Sequence, residues 1–118
     1  MAKIAVVEDN AAVRQELCGF IAQYAQESGQ LLEVTPFADG SQIVEPYRPG
    51  FDIIFLDIEM PTLGGMPTAE RIRLLDPDVV LIFVTNMAQY AIRGYEVDAL
   101  DFVLKPVSYY QFSTRSEE

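Results

Sequence analysis

Residues 53–56 read Ile-Ile-Phe-Leu, a continuous apolar run that ends on the carboxylate of Asp57. A Pro-Gly pair precedes the run, and a proline and two glycines follow it. A short apolar run between turn residues is typical of a strand buried on both faces of a parallel sheet. Ligands of open α/β sheets bind outside the carboxyl ends of the strands. Asp57 is therefore either a strand terminator or a functional group.

Segments of strand and helix character alternate along the chain. Strands are predicted over Lys3–Glu8, Leu31–Phe37, Ile53–Leu56, Val79–Val84 and Leu100–Leu104, and helices over Ala11–Ser28, Asp39–Tyr47, Met66–Leu75, Ala88–Gly94 and from Val107 onward. Such alternation predicts parallel strands joined by right-handed crossovers, with helices on both faces of the sheet. The predicted fold class is α/β, with five strands and five helices in one domain over residues 1–118.

Individual residues refine this prediction. Asn10 is a favourable N-cap for the first helix, and a glycine follows the last residue of that helix. Pro36 predicts an edge position for the second strand, because proline has no amide hydrogen to donate to a neighbouring strand. In the third helix, Ala69, Ile72 and Leu75 have the spacing of core-facing residues.

The chain is strongly acidic. Its 18 acidic residues outnumber 8 basic ones, which gives a formal net charge of −10. This charge argues against direct binding to nucleic acid or to an anionic membrane, and it favours a protein partner or a bound cation. The sequence contains no histidine, which excludes Ser-His and Cys-His catalysis and any metal site built on histidine.

The single cysteine, Cys18, excludes an internal disulfide and suits a reducing cytoplasm. It lies on the predicted inner side of the first helix, where we expect it to be a core residue. No apolar run approaches the length of a membrane span, and Met-Ala-Lys followed at once by a strand is not a signal peptide. The sequence therefore predicts a cytoplasmic location.

Polar side chains follow four of the predicted strands. They are Glu8 and Asp9, Asp57, Thr85, and Lys105. Any one of them could simply end a strand. In a parallel sheet, however, all the carboxyl ends lie at the same edge, so three acids, a hydroxyl and an amine are expected to converge there.

Such a cluster has a specific chemistry. Three neighbouring carboxylates raise the pKa of at least one of them unless a cation is present, and Mg²⁺ with oxygen ligands and several waters meets this need. An Asp57 placed between Mg²⁺ and Lys105 would be a nucleophile towards phosphorus. The two cations would neutralise charge on the transferred group, and Thr85 could donate a hydrogen bond to it.

The motifs of the chain identify it as similar to a known family. They are Val6-Val7-Glu8-Asp9-Asn10, Phe55-Leu56-Asp57-Ile58-Glu59-Met60-Pro61 with Gly65, Val84-Thr85-Asn86 and Leu104-Lys105-Pro106. In this order they resemble the receiver domain of two-component response regulators. That resemblance implies a doubly wound flavodoxin-like or CheY-like fold with strand order 2-1-3-4-5. The stretch from residue 88 to residue 102 resembles receivers of the LytTR (AlgR/AgrA-like) transcription regulators.

The resemblance implies a role for each acidic residue of the motifs. Asp57 would accept a phosphoryl group from a sensor histidine kinase. Asp9, Asp57 and the backbone carbonyl of Glu59 would bind Mg²⁺ directly, and Glu8 would act through a metal-bound water. The side chain of Glu59 is either a solvated loop acid or a group that tunes dephosphorylation.

The resemblance also implies a switch. Lys105 would contact the phosphoryl group, Thr85 would move towards it, and Phe102 would rotate inward behind Thr85. Phe102 stands where many receivers have tyrosine, so it can act only through packing; a plain core aromatic is its alternative interpretation. The coupled movement would repack the face formed by the fourth helix, the fifth strand and the fifth helix, a possible homodimer surface.

The resemblance has consequences for the rest of the protein. LytTR-type regulators carry a DNA-binding domain after the receiver, and that expected domain is not in this chain. The chain is thus expected to be a receiver fragment or a stand-alone receiver that does not itself bind DNA. It is expected not to be an enzyme beyond catalysing its own phosphorylation and slow dephosphorylation.

Two other functions remain open from the sequence. Asp57-Ile58-Glu59 superficially resembles the acid pair of haloacid-dehalogenase-like phosphatases, although their motif usually lies on the first strand. The chain could also be a pseudo-receiver that binds proteins without taking phosphate. All the family's functional positions are filled, which favours the phosphorylated switch over both alternatives.

Overall fold

The computed structural model describes residues 2–44, 47–57, 64–85 and 101–104, with Thr85 and residues 101–104 described by their backbone. The strands are β1 (Ala2–Val7), β2 (Leu32–Phe37), β3 (Ile53–Leu56), β4 (Val80–Thr85) and β5 (Asp101–Leu104). The helices in these ranges are α1 (Ala11–Ser28), α2 (Gly40–Val44) and α3 (Gly65–Leu75). The helices predicted over residues 88–94 and from residue 107 onward lie outside the described part of the chain.

The strands form one parallel sheet in the order β2-β1-β3-β4-β5. Val7 lies opposite Leu56 in the β1–β3 pair, and Leu56 lies opposite Phe83 in the β3–β4 pair. Parallel strands all end at the same side of the sheet, which we call the carboxyl edge, and all begin at the opposite side, the amino edge. The predicted α/β fold class and strand order are confirmed.

Strand β2 lies at the border of the sheet, as Pro36 predicted. The amide of Ala2 donates to the carbonyl of Leu31 at 3.2 Å, and the amide of Glu8 donates to the carbonyl of Phe37 at 3.0 Å. Because hydrogen bonds alternate along a parallel pair, the odd-numbered amides of β2 face β1 and the even-numbered ones face outward. Pro36 therefore occupies an outward position, where its missing amide hydrogen costs no bond in the sheet.

The core consists of one cluster on each face of the sheet. On one face, α2 and α3 pack on alternate strand residues: Ile43, Val44, Met66, Ala69 and Ile72 meet Ala5, Val7, Ile54, Leu56, Leu81 and Phe83. On the other face, α1 packs on the intervening strand residues: Leu17 and Ile21 meet Ile4, Val6, Phe55, Ile82 and Val84. Strands buried on both faces explain the continuous apolar runs of the sequence.

Helix α1 begins and ends at the predicted residues. The side chain of Asn10 accepts hydrogen bonds from the amides of Ala12 at 3.0 Å and Val13 at 3.2 Å. At the other end, Gly29 has a left-handed backbone with φ of 72°, a conformation that glycine adopts without steric cost. The helix therefore connects the carboxyl edge of the sheet with its amino edge through defined caps at both ends.

Helix α2 is shorter than predicted. Within the described residues it covers Gly40–Val44, and Tyr47 lies outside the helix with its ring against the core cluster of α2 and α3. The hydroxyl of Tyr47 donates to Asp76 Oδ2 at 2.8 Å, at the end of α3. A contact distant in sequence, and not the helical repeat, therefore fixes the position of Tyr47.

The predicted burial of Leu75 is wrong, because 57% of its surface is exposed. Leu75 is the last residue of α3, so no further helical turn follows it on that side of the sheet.

Cys18 is half-buried and packs against the core cluster between α1 and the sheet. Burial raises the pKa of its thiol, and the nearby Arg14 guanidinium opposes that rise.

Among the described residues, no helix is long and apolar enough to span a bilayer.

Candidate functional site

The site lies at the carboxyl edge, where β1 and β3 end side by side. Glu8 and Asp9 follow β1, and Asp57 follows β3. The amide of Asp57 donates to the carbonyl of Val7 at 3.0 Å, which extends the pairing of the two strands by one residue. The sheet register therefore determines that the acids after β1 stand next to the acid after β3.

The three carboxylates form a compact cluster. Each of Glu8, Asp9 and Asp57 contributes one oxygen, and these oxygens all lie within 4.8 Å of one another. Glu8 is 1% exposed and Asp57 is 6% exposed, whereas Asp9 lies at the surface. The cluster thus has a buried floor and a side open to solvent. Carboxylates this close repel one another, so a cation among them would be stabilised.

The donor set fits a hard divalent cation. Two oxygens bound to the same Mg²⁺ lie at most about 4.2 Å apart, because each Mg–O distance is about 2.1 Å. A spread of up to 4.8 Å suits two direct ligands and a third that acts through water, or a small closure of the cluster. The exposed side at Asp9 leaves room for the waters that Mg²⁺ usually keeps. Mg²⁺ therefore matches both the ligands and their arrangement.

Hydrogen bonds hold the turn between β1 and α1. The amide of Asn10 donates to Glu8 Oε2 at 3.2 Å, and the Asn10 side chain caps α1. One turn into the helix, Arg14 Nη1 donates to the backbone carbonyl of Glu8 at 2.8 Å. Arg14 was not among the residues predicted from the sequence. The available signal was a basic residue placed one helical turn after the N-cap that follows an acid pair.

The other predicted site residues are described in part or not at all. Thr85 is the last residue of β4, and its backbone pairs with Leu104 of β5. Phe102 lies in β5 opposite Phe83. The backbones of Thr85 and Phe102 thus lie on the two strands beyond β3, while their side chains are not described. Glu59 and Lys105 lie outside the described residues, so their predicted roles stay predictions.

The chain belongs to the response regulator receiver family. The model of the response regulator receiver domain matches residues 4–116, which is nearly the whole chain. The fold, the strand order and the acids at the carboxyl edge agree with this assignment. The resemblance seen in the sequence motifs is confirmed.

Curated relatives place the chain among two-component regulators. It is 32% identical over 114 residues to the sensory transduction protein LytT of Oceanobacillus iheyensis, covering 92% of this chain and 44% of that protein. It is 33% identical over 110 residues to the transcriptional regulatory protein BtsR of Escherichia coli K12, covering 91% of this chain and 43% of that protein. The chain therefore spans less than half the length of these relatives, and LytT agrees with the predicted LytTR-type resemblance.

A solved structure extends the comparison to the site. The response regulator protein TrrA of Thermotoga maritima, in complex with Mg²⁺ and BeF, superimposes on this chain with a TM-score of 0.80. The two are 25% identical, and the match covers 99% of this chain and 97% of that one. The similarity supports the receiver fold over its full extent. It also shows that a structure of this fold has been solved with Mg²⁺ bound.

Proposed function

We propose that this chain is a phosphorylation-controlled switch in which Asp57 accepts a phosphoryl group from a sensor histidine kinase. The observation that carries the proposal is the cluster of three carboxylate oxygens within 4.8 Å at the ends of β1 and β3. Asp57 is 6% exposed, which suits a group that reacts in a defined position. A carboxylate attacks phosphorus without a general base, so a chain without histidine can perform this step.

The metal ligands are proposed from the cluster and the family. Asp9 and Asp57 would bind Mg²⁺ directly together with the backbone carbonyl of Glu59, and the buried Glu8 would act through a metal-bound water. When bound, Mg²⁺ neutralises charge on the oxygens of the transferred phosphoryl group. Glu8 and Asp9 hold their carboxylates beside Asp57, and the strand pairing between Val7 and Asp57 sets that distance.

The transfer itself makes one bond and breaks one. A carboxylate oxygen of Asp57 bonds to phosphorus while the N–P bond of the kinase phosphohistidine breaks, and the bonding pair leaves with the imidazole nitrogen. Lys105 would pair with the phosphoryl oxygens, and the Thr85 hydroxyl would donate to one of them. Hydrolysis of the acyl phosphate by water would reset the switch slowly, so the chain would not act as a turnover enzyme.

The proposed output passes through the last elements of the receiver. Inward rotation of Phe102 behind Thr85 would repack the face formed by the segment between β4 and β5, by β5 and by the residues that follow it. That face would then bind a second receiver. BtsR carries the name of a transcriptional regulatory protein and is more than twice as long as the matched region. We therefore expect a DNA-binding output domain in the whole protein, in the cytoplasm, with no DNA contact by this acidic domain.

Intact-mass spectrometry tests the proposal. The chain is incubated with acetyl phosphate and Mg²⁺, and one added phosphoryl group is expected. The addition should be absent in EDTA and absent in Asp57→Ala. Asp52→Ala is the matched control, because Asp52 lies just before the other end of β3, where its Oδ2 accepts from the amide of Lys3 at 2.8 Å.

Three outcomes would contradict the proposal. Phosphorylation that persists in Asp57→Ala would place the acceptor elsewhere. Continuous release of phosphate over many turnovers would indicate a phosphatase. An unchanged mass together with no Mg²⁺ binding would leave a pseudo-receiver that acts through protein contacts alone.

A further inference from the structure

Arg14 closes a ring of contacts around the acid pair after β1. The ring runs from the Glu8 carboxylate to the amide of Asn10 at 3.2 Å, and from the Asn10 side chain into the first turn of α1. It returns from α1 through Arg14 Nη1 to the carbonyl of Glu8 at 2.8 Å. Asp9 stands between Glu8 and Asn10 in the sequence, so its backbone is part of this ring. The backbone that carries two of the three clustered carboxylates is thus held from both its strand side and its helix side.

The bond from Arg14 is not part of the regular secondary structure. The carbonyl of Glu8 lies beyond the last residue of β1. Helix α1 already has its N-cap in Asn10, so it does not need Arg14 in order to begin. Arg14 itself is only half-buried. A half-buried guanidinium aimed back at the strand end therefore fixes the turn rather than the sheet or the helix.

We propose that Arg14 is a positioning residue for the divalent cation at Glu8, Asp9 and Asp57. It would act through the Glu8 backbone and would not contact the metal. The inference rests on the proposed function, since it assumes that the carboxylate cluster binds Mg²⁺. Groups that orient metal ligands from behind typically change metal affinity 10- to 100-fold when they are removed.

Electrostatics alone predicts the opposite change in Mg²⁺ affinity when Arg14 is replaced. A guanidinium beside the cluster repels a divalent cation, so its removal would tighten Mg²⁺ binding if charge were its only effect. Removal would weaken Mg²⁺ binding if the guanidinium positions the ligands. The direction of the change in affinity therefore separates positioning from charge, without reference to phosphorylation.

The experiment is titration calorimetry of Mg²⁺ into the metal-free chain at fixed ionic strength. The test variants are Arg14→Gln and Arg14→Met, which both retain high helix propensity. The control is Arg48→Gln, which removes the same charge from an exposed residue between α2 and β3, near the amino edge. We expect about 10-fold weaker binding in both Arg14 variants and no change in Arg48→Gln. Arg14→Lys keeps the charge and one donor and should fall between wild type and Arg14→Gln.

A second readout uses the chain without metal. Amide hydrogen exchange at Asn10 should accelerate in Arg14→Gln while exchange in β4 stays unchanged, because only the turn loses a restraint. Wild-type affinity in both Arg14→Gln and Arg14→Met, or tighter binding, overturns the inference. Absence of Mg²⁺ binding by wild type overturns the proposed function together with it. Normal Mg²⁺ binding by wild type with unchanged Arg14 variants overturns the Arg14 inference alone.

Discussion

The two edges of the sheet differ in how their acidic residues are arranged. At the amino edge two acids, far apart from each other in sequence, each accept a hydrogen bond: Asp52 Oδ2 from the amide of Lys3 at 2.8 Å, and Asp76 Oδ2 from the Tyr47 hydroxyl at 2.8 Å. At the carboxyl edge three carboxylates place oxygens within 4.8 Å of one another. Donors near single acids stabilise a fold, whereas clustered like charges cost stability and bind a cation.

The strongest test of this contrast uses the two ends of β3. Asp57→Ala should abolish phosphorylation by acetyl phosphate, because it removes the attacking oxygen. Asp52→Ala should leave the phosphorylated fraction unchanged and cost about 1 kcal/mol of stability through its lost hydrogen bond. Intact mass and urea unfolding measure the two effects. Equal loss of phosphorylation in both variants would show that Asp57 matters only for folding.

The two ends of α1 give the next comparison. Asn10→Ala removes the N-cap at the carboxyl edge, and Gly29→Ala forces a side chain into a backbone with φ of 72° at the amino edge. Each should cost about 1 kcal/mol. Only Asn10→Ala should also weaken Mg²⁺ binding, since Asn10 is part of the turn that carries Asp9. Thermal unfolding measures the stability of each variant, and calorimetry measures its Mg²⁺ affinity. If Asn10→Ala and Gly29→Ala bind Mg²⁺ equally well, the N-cap of α1 does not contribute to the metal site.

Tyr47→Phe tests the amino edge alone. Loss of the hydrogen bond to Asp76 should cost about 1 kcal/mol and leave phosphorylation intact. Burial, aided by the hydrogen bond to Asp76, raises the pKa of the Tyr47 phenol in the folded chain. A raised pKa means that this stabilisation is fully present below about pH 10, the unfolded value, and is lost as the pH rises through the folded value.

Urea unfolding across that pH range checks this prediction. The difference in the free energy of unfolding between wild type and Tyr47→Phe should be constant at neutral pH and should shrink only at strongly alkaline pH. If the stability difference between the two proteins already changes near neutral pH, roughly pH 6 to 8, a group other than the Tyr47 phenol controls the contact.

The smallest expected effect is at Asp9, the exposed member of the cluster. Asp9→Asn should stabilise the metal-free chain by about 0.5 kcal/mol at low salt, because it removes one repelling charge. Added salt should reduce this gain, since screening weakens repulsion between exposed charges. Thermal unfolding in EDTA at two ionic strengths measures it. A lower stability of Asp9→Asn in EDTA would contradict the view that repulsion among the clustered carboxylates destabilises the metal-free chain.

Much of the fold could be predicted from local patterns. Strand β3 was predicted at the residues where it occurs, and α1 begins and ends where Asn10 and Gly29 indicated. These elements depend on short-range chemistry: a fully apolar run, a capping side chain and a glycine. Two predictions that the structure contradicts are the burial of Leu75 and the inclusion of Tyr47 in α2. Tyr47 donates a hydrogen bond to Asp76, 29 residues away in sequence, and a helical period does not encode such a contact.

The clustering of Glu8, Asp9 and Asp57 could be predicted, because the carboxyl ends of parallel strands lie at the same edge of the sheet. Arg14 was missed because its role depends on the path of the turn. Its guanidinium reaches back over six residues to the carbonyl of Glu8, and no spacing rule predicts that direction. A hydrogen bond from a helix side chain back to a backbone oxygen before the helix is identified only from the three-dimensional structure.

The sequence by itself determined the class of fold and the residue types available for chemistry, because both depend on composition and period along the chain. The resemblance of its motifs to the receiver family implied the strand order. The tertiary structure decided the distances: the spread of carboxylate oxygens at the carboxyl edge, the Tyr47–Asp76 contact at the amino edge, and the return of Arg14 to Glu8. These depend on sheet register and turn geometry. Register is set by packing both faces of the sheet at once, so it is a property of the whole domain and not of any single segment.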